Sequence, residues 1–147
     1  MEDALAMLRS TVTLRWESID QLLREHAGVN LGDPLTPGTG AWHLRHTVEY
    51  FRVHARAMMG DPTPDPRPIP SDPALMRDAL LADIDGFIAW AREQPDDLWS
   101  RPVTYGKAMP FMEMFAGTAQ HITWHAAAVH YWVKWRSPGA AAITPPC

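Results

Sequence analysis

The sequence of 147 residues contains a single cysteine, Cys147, which is its last residue. A disulfide within the chain needs two cysteines and a cysteine-ligated metal cage needs several, so the sequence excludes both. Its position at the end of the sequence also argues against a catalytic thiol. We therefore expect a fold held together by a hydrophobic core in a reducing, cytoplasmic environment.

The sequence also lacks an excess of positive charge. It has 13 Lys and Arg residues against 17 Asp and Glu residues, and its net charge is −4 with histidine neutral. The basic residues are scattered along the chain and form no cluster. Because nucleic acids are bound through dense basic patches, we do not expect DNA or RNA as a partner.

Long apolar runs are missing as well. The acidic start MEDALAMLRS lacks the basic beginning and the long apolar run of a secretory signal. Nowhere do about 18 apolar residues follow one another, which is the length that a membrane-spanning helix needs. We therefore predict a cytoplasmic protein that does not enter a membrane.

Apolar residues recur at three- and four-residue steps in four segments, and this spacing is typical of helices that bury one face. Thr39 is a predicted N-cap, and Pro73 is a predicted first-turn proline. Trp16 belongs to the stripe of the first segment, and Asp83 stands at a stripe position of the third. The predicted helices cover about residues 3–26, 39–59, 72–94 and 110–136, and we predict that residues 1–147 form one all-α domain, a four-helix bundle.

Two connections in the sequence have a distinct composition. Proline occupies every second position from Pro62 to Pro70, which denies this segment the hydrogen bonds of helices and sheets. We predict a long, extended Pro-rich connection between the second and third helices. Residues 95–110 alternate weakly around Val103 and Tyr105 before Gly106, and they predict a short hairpin or an irregular loop.

Histidines are concentrated in two of the predicted helices. His121 and His125 lie four residues apart in the last helix, so their side chains share one face about 5–6 Å apart and can bind one metal ion. The second helix contains the sequence WHLRH, with His43 and His46 three residues apart. Either of these can supply a third ligand from a facing helix, and the spacing leaves the choice open.

Other side chains near these histidines are candidates for the surroundings of a metal site. Tyr50 lies one turn after His46 and could donate a hydrogen bond, and Thr118 could orient a ligand histidine. Trp42 and Trp124 are close enough in sequence to the histidines to line a pocket.

Taken together, the order of helices and these motifs resemble the DinB-like superfamily. Thr39 precedes His46 by seven residues, the spacing between the Ser or Thr that begins the second helix and the metal histidine in that superfamily. The HxxxH pattern on its last helix corresponds to His121 and His125. The resemblance implies a DinB/YfiT-like four-helix bundle with a three-histidine site, His46, His121 and His125, in which His43 is an alternative or neighbouring ligand.

The superfamily includes YfiT-like metal-dependent hydrolases and thiol-dependent transferases. The resemblance therefore implies a divalent metal ion, for which zinc, nickel or iron would fit, and a small-molecule substrate. A low-molecular-weight thiol is a possible second cofactor, and Arg45, Arg52 and Arg56 are candidates to bind its carboxylates. A non-catalytic bundle that binds a small molecule or a partner chain stays open, as does a homodimer formed through the first helix.

Overall fold

The computed structural model describes residues 1–14 and 18–135, and this part of the chain is mostly helical. It contains five α-helices and one small antiparallel sheet, so the prediction of an all-α fold is confirmed. The helices are α1 (Glu2–Thr13), α2 (Ile19–Glu25), α3 (Gly40–Met58), α4 (Pro73–Arg92) and α5 (Phe111–Trp135), and the strands are β1 (Pro102–Tyr105) and β2 (Lys107–Pro110).

The first predicted helix, residues 3–26, is wrong as a single element. Helix α1 ends at Thr13, and Leu14 has an extended backbone with ψ of 151°. Ser18 then caps α2, since its hydroxyl oxygen accepts a backbone N–H of the first turn at 3.2 Å and donates to the carbonyl of Leu14 at 2.5 Å. Trp16, which the prediction placed in the apolar stripe, lies outside the described residues.

The starts of α3 and α4 follow the cap residues of the sequence. The hydroxyl oxygen of Thr39 accepts the backbone N–H of Trp42 at 3.1 Å, and the carboxylate of Asp72 accepts that of Leu75 at 3.0 Å. Each cap satisfies a backbone N–H that the helix leaves without a partner. The predicted end of the last helix, residue 136, lies outside the described residues.

Residues 95–110 form a short 3-10 helix (Asp96–Ser100) and a hairpin, which was one of the two predicted alternatives. In the hairpin, Val103 lies opposite Met109, and Gly106 makes the turn with φ of +72°. A side chain with a Cβ atom rarely adopts this left-handed conformation, so glycine suits the turn. The hairpin leads directly into α5 at Phe111.

Helix α3 packs against both α4 and α5, and α1 and α2 also contact these two helices. Four phenylalanines are at most 2% exposed and connect the elements: Phe51, Phe87, Phe111 and Phe115. The rings of Phe51 on α3 and Phe87 on α4 meet edge to face with centroids 6.0 Å apart. This core sets the position of α3 against α5, the two helices that carry the paired histidines of the sequence.

The Pro-rich connection is attached to the bundle by a chain of ion pairs. Asp83 of α4 accepts from Nε of Arg52 at 2.6 Å and from Nη1 of Arg67 at 2.7 Å. Arg67 also pairs with Asp65 at 2.5 Å, which lowers the pKa of Asp65 to about 2. The side chains of Arg52 and Asp83 are 6% and 7% exposed, so the two form a buried ion pair. Because Arg52 is buried against this carboxylate, the prediction that it binds a carboxylate of a thiol cofactor is wrong.

No helix in residues 1–14 and 18–135 combines the length and the apolar composition that are needed to cross a bilayer. Helix α5 has 25 residues, which is long enough to span one, but it is not apolar enough.

Gly40, at the start of α3, lies against the indole ring of Trp132. A Cβ atom at this position would come within 2.9 Å of Cδ1 of Trp132, whereas a Cβ at Gly86 would meet nothing within 4 Å. We expect Gly40→Ala to lower the free energy of unfolding by about 1–3 kcal/mol because of overpacking. The matched change Gly86→Ala should raise it by up to about 1 kcal/mol because alanine favours a helix. Urea denaturation measures both, and equal effects of the two variants would contradict the predicted clash.

Candidate metal centre

Three imidazoles from two helices meet between α3 and α5. One ligand atom from each of His46, His121 and His125 lies within 4.8 Å of the other two. The ring centroids are 5.3 Å apart for His46 and His121, 4.8 Å for His46 and His125, and 4.4 Å for His121 and His125. Two nitrogens bound to one zinc ion lie at most about 4.2 Å apart, so this group is close to the spacing of metal ligands.

One nitrogen of this group supports a metal directly. Nε2 of His121 is buried, and no hydrogen-bond partner within the described part of the chain reaches it. A buried polar atom without a partner costs about 1–3 kcal/mol, so such atoms are rare unless something else satisfies them. A metal ion bound at this nitrogen would satisfy its lone pair, so the residues fit a divalent ion.

The surroundings of His121 and His125 lower the pKa of both imidazoles. His125 is 2% exposed, and burial, together with the neighbouring rings of His121, His46 and His43, lowers its pKa to about 3. Burial also lowers the pKa of His121, and the nearby His46 and His54 add to that effect. A neutral imidazole is the form that binds metals, and these two rings are in that form at neutral pH.

His43 lies beside the group and outside it. Its Nδ1 is 2.8 Å from Nδ1 of His125, so one of the two rings donates this hydrogen bond to the other. The bond occupies Nδ1 of His125 and leaves its Nε2 available. Metal-binding histidines usually use their second nitrogen in this way, most often toward a carboxylate, a carbonyl or water. The structure therefore brings His46 together with His121 and His125 and places His43 next to His125.

Aromatic rings restrict the rotation of two of these histidines. Trp42 stacks on His46, with centroids 5.1 Å apart and planes 2° apart, and Tyr50 stacks on His121 at 3.6 Å and 13°. Tyr50 thus contacts the group through the face of its ring. Stacking holds the imidazole planes in place before any ligand arrives, which lowers the entropic cost of binding.

Tyr50 is also stacked on its other side by a residue that the sequence interpretation passed over. The ring of His54 lies 3.8 Å from that of Tyr50, and Nδ1 of His54 is 2.8 Å from the Tyr50 carbonyl oxygen. On the far side of His54 lies Tyr105 of the hairpin, with centroids 4.9 Å apart. The separation of four residues between Tyr50 and His54 was the available signal, since it places both rings on one helix face.

The two remaining predicted neighbours occupy different environments. Trp124 is 61% exposed, and its ring meets His125 edge to face at 4.7 Å. Thr118 is buried, and its hydroxyl donates to the carbonyl of Met114 at 2.8 Å, so this donor supports α5 itself. Trp124 is therefore placed to touch a molecule beside the histidines.

The comparisons with known proteins bear on the same residues. A family model described as the DinB superfamily matches residues 37–131, which is 95 of the 147 residues. The matched segment begins just before the cap residue Thr39 and includes the four histidines His43, His46, His121 and His125. No curated protein and no solved structure matches the chain.

Proposed function

The chain belongs to the DinB superfamily, and from this premise we propose that it is a metal-dependent enzyme whose divalent ion is held by His46, His121 and His125. One observation carries the proposal. Imidazoles from two helices bring their ligand atoms within 4.8 Å of one another, and one of these rings has a buried Nε2 atom without a partner in the described residues.

Zinc, nickel and iron(II) all accept imidazole nitrogen, so the donor set favours this group of ions over calcium or magnesium. Three protein ligands leave at least one coordination position for another molecule, which is the pattern of catalytic sites. A divalent ion there supplies a Lewis acid, which serves either hydrolysis by water or the transfer of a low-molecular-weight thiol to an electrophile.

The chain's own residues have three tasks in this proposal. His46, His121 and His125 bind the ion in their neutral form. His43 orients His125 through the hydrogen bond between their Nδ1 atoms, and Trp42 and Tyr50 hold the other two rings by stacking. The small-molecule substrate would lie beside this group, where Trp124 is exposed.

The residues leave fewer cations for a thiol cofactor than the sequence suggested. Arg52 is buried against Asp83, and Arg56 pairs with Asp61. Of the three arginines that the sequence offered, Arg45 is then the one left to bind a carboxylate of the thiol. Hydrolase and thiol transferase are distinguished by whether the metal-loaded protein consumes monochlorobimane faster when a low-molecular-weight thiol is added.

Elemental analysis of the purified protein tests the proposal. We expect about one divalent transition-metal ion per chain in the unsubstituted protein. The double variant His46→Ala, His121→Ala should lose this ion, because only one of the three proposed ligands is left. The control His26→Ala, at the end of α2, should keep it. Unchanged metal content in the double variant, or no metal in any of these proteins, would favour a non-catalytic bundle that binds a small molecule or a partner chain.

A further inference from the structure

A pocket of about 660 Å³ lies between the beginning of α3 and the C-terminal half of α5. Aromatic rings of Trp124, Tyr131 and Trp132 line it together with Ala127, Ala128 and the imidazole of His43. Pockets that bind small molecules have volumes of about 300–1,000 Å³ and are lined mainly by apolar and aromatic groups. The size and lining of this pocket therefore match those of a small-molecule site.

One wall of the pocket is held in place by the fold. The indole Nε1 of Trp132 donates to the carbonyl of Asn30 at 3.2 Å, and its ring lies against Gly40, where no side chain intervenes. Trp124 and Tyr131 differ from Trp132 because they are 61% and 47% exposed. Large aromatic rings that stay exposed around a concave surface are typical of ligand sites.

The polar side-chain groups of the pocket are few and uncharged: the imidazole of His43, the hydroxyl of Tyr131 and the indole N–H groups of Trp124 and Trp132. Its lining contains no acidic residue, lysine or arginine among the described residues, so a charged ligand would lose its hydration without gaining an ion pair. His43 uses Nδ1 toward His125, which leaves Nε2 for a hydrogen bond to a ligand. The same contact links the pocket to the three-histidine group, because His125 is a member of that group.

We infer that this pocket binds an uncharged aromatic molecule, whose ring packs against Trp124 and Trp132 and whose polar group is hydrogen-bonded to His43. The inference rests on the proposed function in one respect, because it takes this aromatic molecule to be the substrate of the proposed metal site. Trp124 lies with its ring centroid 5.9 Å from that of His43 and 4.7 Å from that of His125, so a ligand held there is adjacent to the proposed metal ligands.

Calorimetric titration with two naphthalene probes tests the choice of ligand class. 2-Naphthol is uncharged at neutral pH and carries one hydroxyl, whereas 2-naphthoate has the same ring system with a negative charge. In the protein after chelation, we expect 2-naphthol to bind at least about tenfold more tightly, because neither the pocket lining nor a metal ion then compensates the carboxylate. Equal affinities, or tighter binding of 2-naphthoate, would overturn the inference.

Matched variants test the location. Ala128→Leu places a larger side chain in the pocket, and Ala116→Leu makes the same change at an exposed position of the same helix. We expect Ala128→Leu and Trp124→Ala each to weaken 2-naphthol binding about tenfold, through lost volume and a lost aromatic contact respectively, and Ala116→Leu to leave it within about twofold. Circular dichroism checks that the variants fold. Equal binding by Ala116→Leu and Ala128→Leu, or by Trp124→Ala and the unsubstituted protein, would place the probe elsewhere and overturn the inference.

The titrations are made with the metal-loaded protein and with the protein after chelation, so that the two proposals can fail separately. Binding of 2-naphthol by a protein that never takes up metal would refute the metal centre and leave the pocket standing. Stoichiometric metal without 2-naphthol binding would refute the pocket and leave the metal centre standing.

Discussion

Replacing Asp83 with alanine is expected to lower the free energy of unfolding by about 3–5 kcal/mol. The carboxylate accepts from Arg52 and from Arg67, and the side chains of Arg52 and Asp83 are 6% and 7% exposed. Without Asp83 the guanidinium of Arg52 is left buried without its counter-charge. Its remaining hydrogen bonds, to the carbonyls of Arg67 at 3.1 Å and of Pro68 at 3.5 Å, involve uncharged acceptors and cannot neutralise it.

Asp85→Ala is the matched control because it removes another aspartate of α4 that pairs with an arginine. Nε of Arg9 lies 2.8 Å from Asp85, but the two side chains are 49% and 51% exposed. Exposed ion pairs contribute about 0–1 kcal/mol to stability, so the free energy of unfolding of this variant should be close to that of the unsubstituted protein. Urea denaturation followed by circular dichroism measures both free energies. Similar losses in the two variants would show that the burial of the Asp83 pair does not determine its contribution.

Adding zinc to the metal-free protein is expected to raise its melting temperature by roughly 8–16 °C. A ligand that binds the folded state alone stabilises it by about 4 kcal/mol at a thousand times its dissociation constant. For a chain of this size each kcal/mol corresponds to about 2–4 °C. Zinc here would also satisfy the buried Nε2 of His121. Differential scanning calorimetry of chelated and zinc-loaded samples measures the shift.

The variant His121→Ala should lose most of this shift, and His26→Ala should keep it. His121 supplies one of the three proposed ligands, whereas His26 lies at the end of α2 and outside the three-histidine group. A shift of the same size in His121→Ala would mean that zinc stabilises the protein from another site. It would then count against the proposed centre even if the purified protein contained metal.

The parts of the fold that could be predicted from sequence are those that depend on neighbours in the chain. The cap at Thr39 and the turn at Gly106 each follow from one residue's side chain or backbone freedom. The break between α1 and α2 was missed because the apolar spacing continues across it. Ser18 was the local signal, since its hydroxyl caps the second helix.

The side chains around the site were less predictable, because their roles come from contacts between distant segments. Asp83 interrupts an apolar stripe, and this irregularity was the sign of a buried charge, but its partner Arg67 lies in the Pro-rich connection. The pocket beside His43 combines residues from the start of α3 with residues about 80 to 90 positions later on α5. No pattern within one segment of the sequence can predict a contact between residues that are so far apart in the chain.

The sequence by itself determined the all-α class and the pairing of His121 with His125, because residues four apart on one helix must share a face. It also placed His43 and His46 on the facing helix, about 60° apart around the axis, where either could approach that pair. Only the tertiary structure showed which of the two joins both His121 and His125 in one group. The packing of α3 against α5 turns His46 toward His121 and His125 and leaves His43 hydrogen-bonded to His125 at the edge of the pocket. The rotation of one helix against another depends on the packing of the whole core, so it cannot be predicted from the spacing of residues within either helix.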